Sequence, residues 1–545
     1  MGPSLPFFHF LTSPPHSQDI SSFVDQPDVI THVAVVTPKQ AVFVDEISFL
    51  MVLCTPVSVL LIGLSVSPLS ESNRKDIKMY ATDMSVSTDV EMSSVVGTPQ
   101  GRIFMAGSQD GCLYELHYQQ SESWFGKRVH LINHSVGAVQ SLFPRFSSPK
   151  PDGSSFDSLL SSLFIFLLDR IVSVVSDHKR NCLYTLSAKN VISLYHIASE
   201  KSVQHVQTLA NIYKTVQEKA PASPAVNPSN FQIIALHTID PAESRSGMQL
   251  IAITMNGVRL YFSPASPGFS YGPPNPPSIL RPLHVIHVRL PPANLFHPDE
   301  LAHPSNRPSS TSYNARVAPP ASPSRPFIIS GLENSCYQDG LAVSAQPGDT
   351  DGTDFLLCTS PDLTRIGTLG QVSTSTQQYV ATPQPTIYVA SSYTTSGNQR
   401  PPLTEYATLL AIPGRTWAMA SVPRPSLPSS TAPSPAVTNE LAFQFSEPPR
   451  QFMILTNVGL TFLVKRRALD YLRAVIEEAQ SEGTVQPIIE FRDRQGLICD
   501  VDASTLMFRH AVLEEIKRVP CFLALPAETR FWILAIIRCL AHYAL

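Results

Sequence analysis

The chain has few charged residues for its length, and few glycines beside many prolines. Of its 545 residues, 15% are charged and 43% are hydrophobic. A solvated disordered chain needs the opposite balance, so this composition excludes disorder over most of the length. The net charge of −4 gives no overall attraction to nucleic acid. We therefore expect a globular protein without direct nucleic-acid binding, long enough for more than one domain.

Closely spaced cysteines are missing as well. No two of the eight cysteines lie within four residues of each other, although zinc sites and redox motifs use such pairs. The histidines are scattered, so we expect no metal and no cofactor. The segment Gly107 to Gly111 differs from a nucleophile elbow because Ser108 stands one place early. With no catalytic constellation, we predict that the protein is not an enzyme and has no small-molecule substrate.

One long hydrophobic run challenges the prediction of a globular protein. The segment from Phe49 to Val66 is uncharged and just reaches the length of a membrane-spanning helix. Thr55-Pro56 divides it near the middle, and each half is rich in β-branched residues and has the length of a strand. We predict two strands joined by a bend. An integral membrane protein anchored by this segment is the less favoured alternative.

Short strand–turn–strand units recur along the chain. In the unit from Gly101 to Leu116, apolar residues alternate, and Asp110-Gly111 supplies the turn because glycine accepts a positive φ without a steric penalty. Further units repeat this layout with their turns at Lys189-Asn190, Asn256-Gly257 and Asn457-Val458-Gly459.

These repeats predict a mainly β protein. Two more strands are expected from Tyr337 to Ser344 and from Asp354 to Thr359, around the acidic loop Gln346 to Thr353. Each blade of a β-propeller is a four-stranded sheet that buries both faces against its neighbours, and blades recur in sequence as repeats. We therefore favour a β-propeller. A sandwich or two smaller β domains are the alternatives on pattern alone.

Composition and period divide the chain into regions. Insertions rich in proline and serine occupy residues 263–282, 291–326 and 421–435, and they lack the apolar content for a core of their own. After Lys465 the apolar residues fall at helical spacing. We predict a divergent, disordered N-terminus over 1–27, a propeller over 28–466, an α-helical region over 467–517 and a divergent apolar tail over 518–545.

Several ordered segments resemble one known family. GRIFMAGSQDGCLYELHYQ, SWFGKRVHLINHS, MQLIAITMNGVRLYFS and HVIHVRLPP are similar to segments of the large scaffold nucleoporins of the nuclear pore inner ring. YQDGLAVSAQ, DFLLCTSPD, RTWAMA and FMILTNVGLTFLVKRRALDYLRAVIEE continue the likeness in the same order. The likeness covers roughly Asp28 to Gly496.

The resemblance implies a seven-bladed β-propeller followed by an α-helical solenoid, of which this chain contains the start. It implies a structural constituent of the nuclear pore complex at the nuclear envelope, which scaffolds nucleocytoplasmic transport. Its partners would be neighbouring inner-ring nucleoporins and the pore membrane. Phe125-Gly126 is the one Phe-Gly dipeptide, whereas disordered barrier nucleoporins repeat it many times. A generic β-propeller adaptor of a membrane coat is the alternative.

One segment combines the features of a membrane contact. Trp124 and Phe125 stand beside Lys127 and Arg128, after a polar stretch that separates them from the preceding strand. Aromatic rings enter the acyl boundary of a bilayer while Lys and Arg meet anionic head groups. We predict that these four residues contact the membrane. The competing interpretation is that Trp124 and Phe125 cover the core of a blade. Trp417 is expected to pack inside a blade.

Overall fold

The structure is a computed structural model. It describes residues 29–68, 75–120, 128–135, 169–199, 202–220, 223–241, 243, 247–264, 282–292, 295–298, 326–349, 352–361, 405–423, 448–465, 468–483 and 486–487. In these residues the strands form six antiparallel sheets of three or four strands, together with one two-stranded pair.

Sheets 1 to 3 come from the first part of the chain and belong to one compact unit. Sheet 1 contains β1 (His32–Val36), β2 (Phe49–Cys54), β3 (Ser58–Pro68) and β4 (Lys75–Ser87). Sheet 2 contains β5 (Met92–Gly97), β6 (Ile103–Gly107), β7 (Leu113–Tyr118) and β8 (Val129–Asn133). Sheet 3 contains β9 (Ile171–Asp177), β10 (Cys182–Ser187), β11 (Ile192–Ser199) and β12 (Ser202–Leu209).

Sheets 4 to 6 belong to a second compact unit. Sheet 4 contains β13 (Ile233–Thr238), β14 (Leu250–Thr254), β15 (Arg259–Ser263) and β16 (His284–Arg289). The two-stranded pair is β17 (Leu295–Phe296) with β18 (Pro326–Phe327). Sheet 5 contains β19 (Asn334–Gln338), β20 (Leu341–Pro347), β21 (Thr353–Pro361) and β22 (Glu405–Pro413). Sheet 6 contains β23 (Thr416–Ser421), β24 (Gln451–Thr456) and β25 (Gly459–Val464).

In each sheet a strand pairs antiparallel with the next strand along the chain. A series of four-stranded antiparallel sheets in chain order is the repeating unit of a β-propeller. The prediction of a mainly β propeller is therefore confirmed. The described residues contain five four-stranded sheets and one of three strands, which together are one fewer than the seven blades that the resemblance implies.

Neighbouring sheets are held together by apolar side chains on the faces that they turn toward each other. Between sheets 1 and 2, Leu50 and Val52 pack with Ile103 and Met105 in one buried cluster. The opposite face of sheet 2 packs on sheet 3 through a cluster of Phe104, Ala106, Leu113, Ile171, Val174 and Leu183. In the second unit, similar clusters join sheet 4 to sheet 5 and sheet 5 to sheet 6. Strand alternation explains the pattern, because successive residues point to opposite faces.

The predicted hairpins are present, and their turns have the expected backbone. Gly111 has φ of 64°, Asn190 of 61° and Gly257 of 82°. These are left-handed conformations that glycine and asparagine adopt most readily. The sequence pattern therefore identified the turns by a physical requirement of the backbone, and their register follows from it.

The hydrophobic run from Phe49 to Val66 forms β2 and most of β3, joined at Thr55 to Val57. The prediction of two strands is confirmed, and the alternative of a spanning helix is wrong for this segment. Among the described residues, no helix is both long enough and apolar enough to cross a membrane.

Three expectations about sheets 4 to 6 were wrong. The segment Tyr337 to Ser344 is a hairpin rather than one strand, because Asp339 and Gly340 both have positive φ and turn the chain. The insertion over 291–326 contributes β17, and Leu295 is buried in the core between sheets 4 and 5. Trp417 lies in β23, but its side chain is 47% exposed, because alternation places it on the face opposite the buried Thr416.

Two helices accompany the sheets in the described residues. The predicted amphipathic helix is present as α2 (Ala468–Glu482), in which Ile476 and Ala479 are buried. That it begins a solenoid stays a prediction. The short helix α1 (Ile212–Lys219) was not predicted, although Ile212 and Val216 form its buried side. Residues 488–545, which include most of the predicted helical region and the apolar tail, lie outside the described residues.

Two glycines of the second unit allow the cost of a positive φ to be measured apart from the cost of a steric clash. Gly414 and Gly340 have nearly the same φ, 83° and 84°, but a Cβ on Gly414 would strike the side chains of Asn457 and Val458, whereas one on Gly340 would meet open space. We expect Gly340→Ala to lower the free energy of unfolding by about 1 kcal/mol. Gly414→Ala should cost at least about 1 kcal/mol more. Urea denaturation followed by circular dichroism measures both, and equal losses would contradict the steric argument.

Candidate membrane-contact site

The predicted contact residues lie in the connection between β7 and β8 of sheet 2. These strands are antiparallel, and their last direct pair toward the connection is Tyr118 with Val129. One further backbone hydrogen bond runs from the N–H of Gln119 to the carbonyl oxygen of Arg128, at 3.1 Å. The ladder thus fixes where the chain leaves the sheet and where it returns. We call this paired base, from Tyr118 and Gln119 to Arg128 and Val129, the stem.

The structure describes one of the four predicted contact residues. Trp124, Phe125 and Lys127 lie outside the described residues, so their contact with a membrane remains a prediction. Arg128 is half-buried. Its Nε is enclosed and has no hydrogen-bond partner among the described residues. Arg128 therefore belongs to the stem through its backbone and adds a positive charge at the base of the connection.

Aromatic and polar contacts hold the stem in place. His117 and His130 are direct cross-strand partners, and their ring centroids lie 4.7 Å apart. The hydroxyl of Tyr118 donates to the carbonyl oxygen of Gly101 and accepts from the N–H of Lys39, both at 2.7 Å. Burial raises the pKa of Tyr118 to about 12, so the hydroxyl stays protonated and keeps both bonds. The end of β7 is thereby tied to the segments that precede β6 and follow β1.

A buried ionic network lies in the same sheet. Arg102 donates to both carboxylate oxygens of Glu115, with Nε–Oε1 at 2.6 Å and Nη2–Oε2 at 2.7 Å. His134 Nε2 lies 2.8 Å from Oε2 of Glu115. The network joins the residue before β6, the middle of β7 and the residue after β8. The two parallel hydrogen bonds between Arg102 and Glu115 fix both the distance and the orientation of the two side chains. Together with the contact of His134, they favour one register of β6, β7 and β8.

Two opposing effects set the pKa of Glu115. Burial alone would raise the pKa, but hydrogen bonds from Arg102 and His134 and the charges of those groups outweigh it and lower the pKa below its ordinary value. Glu115 is therefore a carboxylate at neutral pH. A charge in this position stabilises the sheet only while its partners are present.

No sequence motif predicts this network, although the register of the hairpin contains part of the signal. With the turn at Asp110-Gly111, Phe104 pairs directly with Glu115. Arg102 shares the face of Phe104, and its guanidinium lies 5.0 Å from the centroid of that ring. Alternation along the predicted hairpin therefore places Arg102 near Glu115. No comparable signal exists for His134, because its position depends on the connection between β7 and β8. Within the described part of the chain, no three His, Cys, Asp or Glu side chains form a cluster that could hold a metal ion.

The buried network can be compared with an exposed pair of the same chemistry. Glu115 and its partner Arg102 are nearly inaccessible, whereas Glu333 and Arg415 form a 2.5 Å pair with side chains 48% and 34% exposed. We expect Glu115→Gln to lower the free energy of unfolding by about 3–5 kcal/mol. Glu333→Gln should change it by no more than about 1 kcal/mol.

The pH dependence of the same measurement has a definite sign. The lowered pKa of Glu115 contributes stability that is complete above its ordinary value of 4.5 and is lost as the pH falls through the folded-state pKa. Urea denaturation of the native chain and the Glu115→Gln variant should therefore converge in acid. A difference that stays constant from neutral to acid pH would contradict the assignment.

The comparisons with known proteins agree on the family of the chain. The sequence model of the family described as Nup133 N terminal like matches residues 10–461. A probable nucleoporin of Schizosaccharomyces pombe, C890.06, is 27% identical over 497 residues, which are 87% of this chain and 33% of that protein. Nup154 of Drosophila melanogaster is 31% identical over 303 residues, 51% of this chain and 21% of that protein. NUP170 of Chaetomium thermophilum is 32% identical over 251 residues, 46% of this chain and 17% of that protein. The chain thus spans a third or less of the length of these relatives.

The fold is also similar to a solved structure. The Nup170 NTD–Nup53 complex of Chaetomium thermophilum contains a chain that aligns with a TM-score of 0.59 at 23% identity, covering 94% of this chain and 61% of that one. At this identity the likeness shows the fold. The match of the family model over most of the sequence shows family membership as well as fold. It agrees with the resemblance that the sequence segments carry. The chain belongs to the scaffold nucleoporin family whose model is described as Nup133 N terminal like.

Proposed function

We propose that this chain is a structural constituent of the inner ring of the nuclear pore complex, where it binds neighbouring nucleoporins and the pore membrane. The observation that carries the proposal is the family match over residues 10–461, which spans all six sheets and ends within β25. Its mechanism is binding rather than catalysis. The protein supplies a rigid body, and its connecting loops supply the contacts.

The packing of the sheets suits this role. The clusters between sheets 1 and 2 and between sheets 2 and 3 use fully buried residues such as Met105 and Phe104 from the two faces of one strand. Interiors packed in this way deform little, so the loops keep fixed relative positions within the unit. Such rigidity suits a scaffold, because an interface of the usual size takes about 20–30 residues from each side and these must keep their relative positions.

The partner class follows from the relatives. The solved relative is a complex of the Nup170 NTD with Nup53. We propose that this chain likewise binds nucleoporins, through surfaces of the usual size of about 800 Å² on each partner. The net charge of −4 gives no reason to add nucleic acid to these partners.

Localisation tests the scaffold function. We expect the chain, expressed with a fluorescent tag at its C-terminus, to give a punctate nuclear rim and to co-purify with inner-ring nucleoporins. The tag alone is the control and should be diffuse. A signal on cytoplasmic vesicles would instead support an adaptor of a membrane coat and contradict the proposal.

The membrane contact is assigned to Trp124, Phe125, Lys127 and Arg128. Burial of a large aromatic side chain contributes about 1.5–3 kcal/mol, and each basic residue near an anionic surface adds about 1 kcal/mol. Together these terms give several kcal/mol before the cost of ordering the connection. The stem supports the assignment, because the backbone hydrogen bond between Gln119 and Arg128 holds the two ends of the connection next to each other.

Vesicle flotation tests the contact with a matched pair of variants. Trp124→Ala with Phe125→Ala should reduce co-flotation with anionic vesicles by at least about tenfold, the factor that a loss of about 1.4 kcal/mol gives. The control is Trp417→Ala with Phe462→Ala, which also removes one tryptophan and one phenylalanine, here 47% and 57% exposed in sheet 6. The control should float like the native chain. Unchanged flotation of a folded Trp124/Phe125 variant would exclude the contact.

A further inference from the structure

One end of the contact between sheets 5 and 6 is polar. Leu356 of β21 packs with Ile454 of β24 in the apolar core between these two sheets. Two positions along each strand, the same faces carry Asp354 and Thr456. Thr416 of β23 is the direct cross-strand partner of Thr456, so its side chain lies on the same face. We call Asp354, Thr416 and Thr456 the oxygen cluster.

The oxygen cluster is closed to solvent. Asp354 is 2% exposed, Thr416 4% and Thr456 2%. The N–H of Thr416 donates to Oδ2 of Asp354 at 2.7 Å and joins these two residues across the sheets. The hydroxyl of Thr456 donates to the carbonyl oxygen of Gly459 at 3.2 Å and accepts from the N–H of Val458 at 3.3 Å. A hydroxyl oxygen has two lone pairs, so that of Thr456 keeps one available.

Two oxygen atoms of the cluster have no hydrogen bond. Oδ1 of Asp354 and Oγ1 of Thr416 are enclosed and find no partner among the described residues. The same residues give the carboxylate of Asp354 no ion pair. Arg415 stands next to Thr416 in the chain, but its guanidinium binds Glu333 at the surface, at 2.5 Å. Because a buried carboxylate is costly without an opposite charge, the cluster calls for a positive ligand.

The available atoms are the ligands that a hard cation prefers. Carboxylate and hydroxyl oxygens suit alkali and alkaline-earth ions, whereas imidazole and thiolate suit transition metals. The cluster has one carboxylate, which balances a single positive charge, and Ca²⁺ sites gain their affinity from several charged ligands. An ordered water would satisfy the same two oxygens, but it would leave the charge of Asp354 unbalanced.

We propose that Asp354 and Thr416 bind a monovalent cation, Na⁺ or K⁺, at the junction of sheets 5 and 6, with Thr456 beside it. Oδ1 of Asp354 and Oγ1 of Thr416 are the side-chain ligands. The ion has a structural role: it neutralises the buried carboxylate and holds β21 to β23. No spacing of histidine or cysteine marks such a site, so the sequence pattern that predicts no metal does not bear on it. The proposal stands apart from the function at the nuclear pore.

The cation dependence of stability tests the proposal in the full chain. Urea denaturation is followed by circular dichroism in choline chloride, and choline is replaced stepwise by Na⁺ or K⁺ at constant ionic strength. A ligand that binds the folded state alone multiplies the folding equilibrium constant by a factor that grows with its concentration. We expect Na⁺ or K⁺ to raise this constant at least about tenfold. Equal stability in all three salts would overturn the proposal in favour of an ordered water.

Substitutions locate the ion. Asp354→Asn keeps an oxygen acceptor for the N–H of Thr416 but removes the negative charge, and it should abolish the cation dependence. Thr416→Val removes one ligand oxygen and should weaken the dependence. The matched control is Thr408→Val, because Oγ1 of Thr408 is also buried without a hydrogen bond but lies on β22, in a different part of sheet 5. It should keep the full dependence. Full dependence in Asp354→Asn would place the ion elsewhere and overturn the proposal.

Hydrogen exchange of the native chain gives a reading that needs no variant. Exchange is measured by peptide mass spectrometry in choline chloride and in the chloride of the stabilising cation. We expect the cation to slow exchange in peptides from β21 and β23, while peptides from β10 in the first unit serve as the control and stay unchanged. Equal slowing in all three strands would indicate a general salt effect and contradict a site at the oxygen cluster.

Discussion

The structure depends on the burial of apolar side chains between the faces of neighbouring sheets. A single four-stranded sheet with two apolar faces is not stable in water, because each face must leave water for the sheet to persist. Sheet 2 meets this need directly, with Met105 toward sheet 1 and Phe104 toward sheet 3. The sequence contains few charged residues because, in sheets covered on both faces, few strand positions are exposed to water.

Polar groups buried within these layers determine register rather than drive assembly. The fork of Arg102 on Glu115 fixes the positions of β6 and β7 relative to each other, and Tyr118 fixes the end of β7. A slip of one residue would expose the apolar set of a strand and bury its polar set. The ionic network therefore opposes the misalignment that apolar packing alone tolerates. The stem of the candidate membrane contact has a fixed register for the same reason, because it continues strands β7 and β8.

Local backbone requirements explain what could be predicted from the sequence. The turns at Asp110-Gly111 and Asn256-Gly257 were identified because positive φ restricts the residues that can occupy them. Asp339-Gly340 is a turn dipeptide of the same kind, but it lies within a short segment, Tyr337 to Ser344, whose length alone favours a single strand. The exposure of Trp417 could not be predicted, because it depends on which face of β23 is covered. The membrane-contact residues stay a prediction from the sequence, and the structure adds the stem that pairs the two ends of their connection.

The antiparallel ladders also bear on the long insertions. The strands β21 and β22 are paired up to the insertion, with Pro361 at the end of β21 opposite Glu405 at the start of β22, although residues 362–404 separate them along the chain. When the ends of a connection are held together, each doubling of its length adds only about 0.6 kcal/mol of closure entropy. Insertions between paired strands can therefore lengthen at little thermodynamic cost to the sheets. Such connections are sites where new contacts can evolve while the packed layers beneath them keep their geometry.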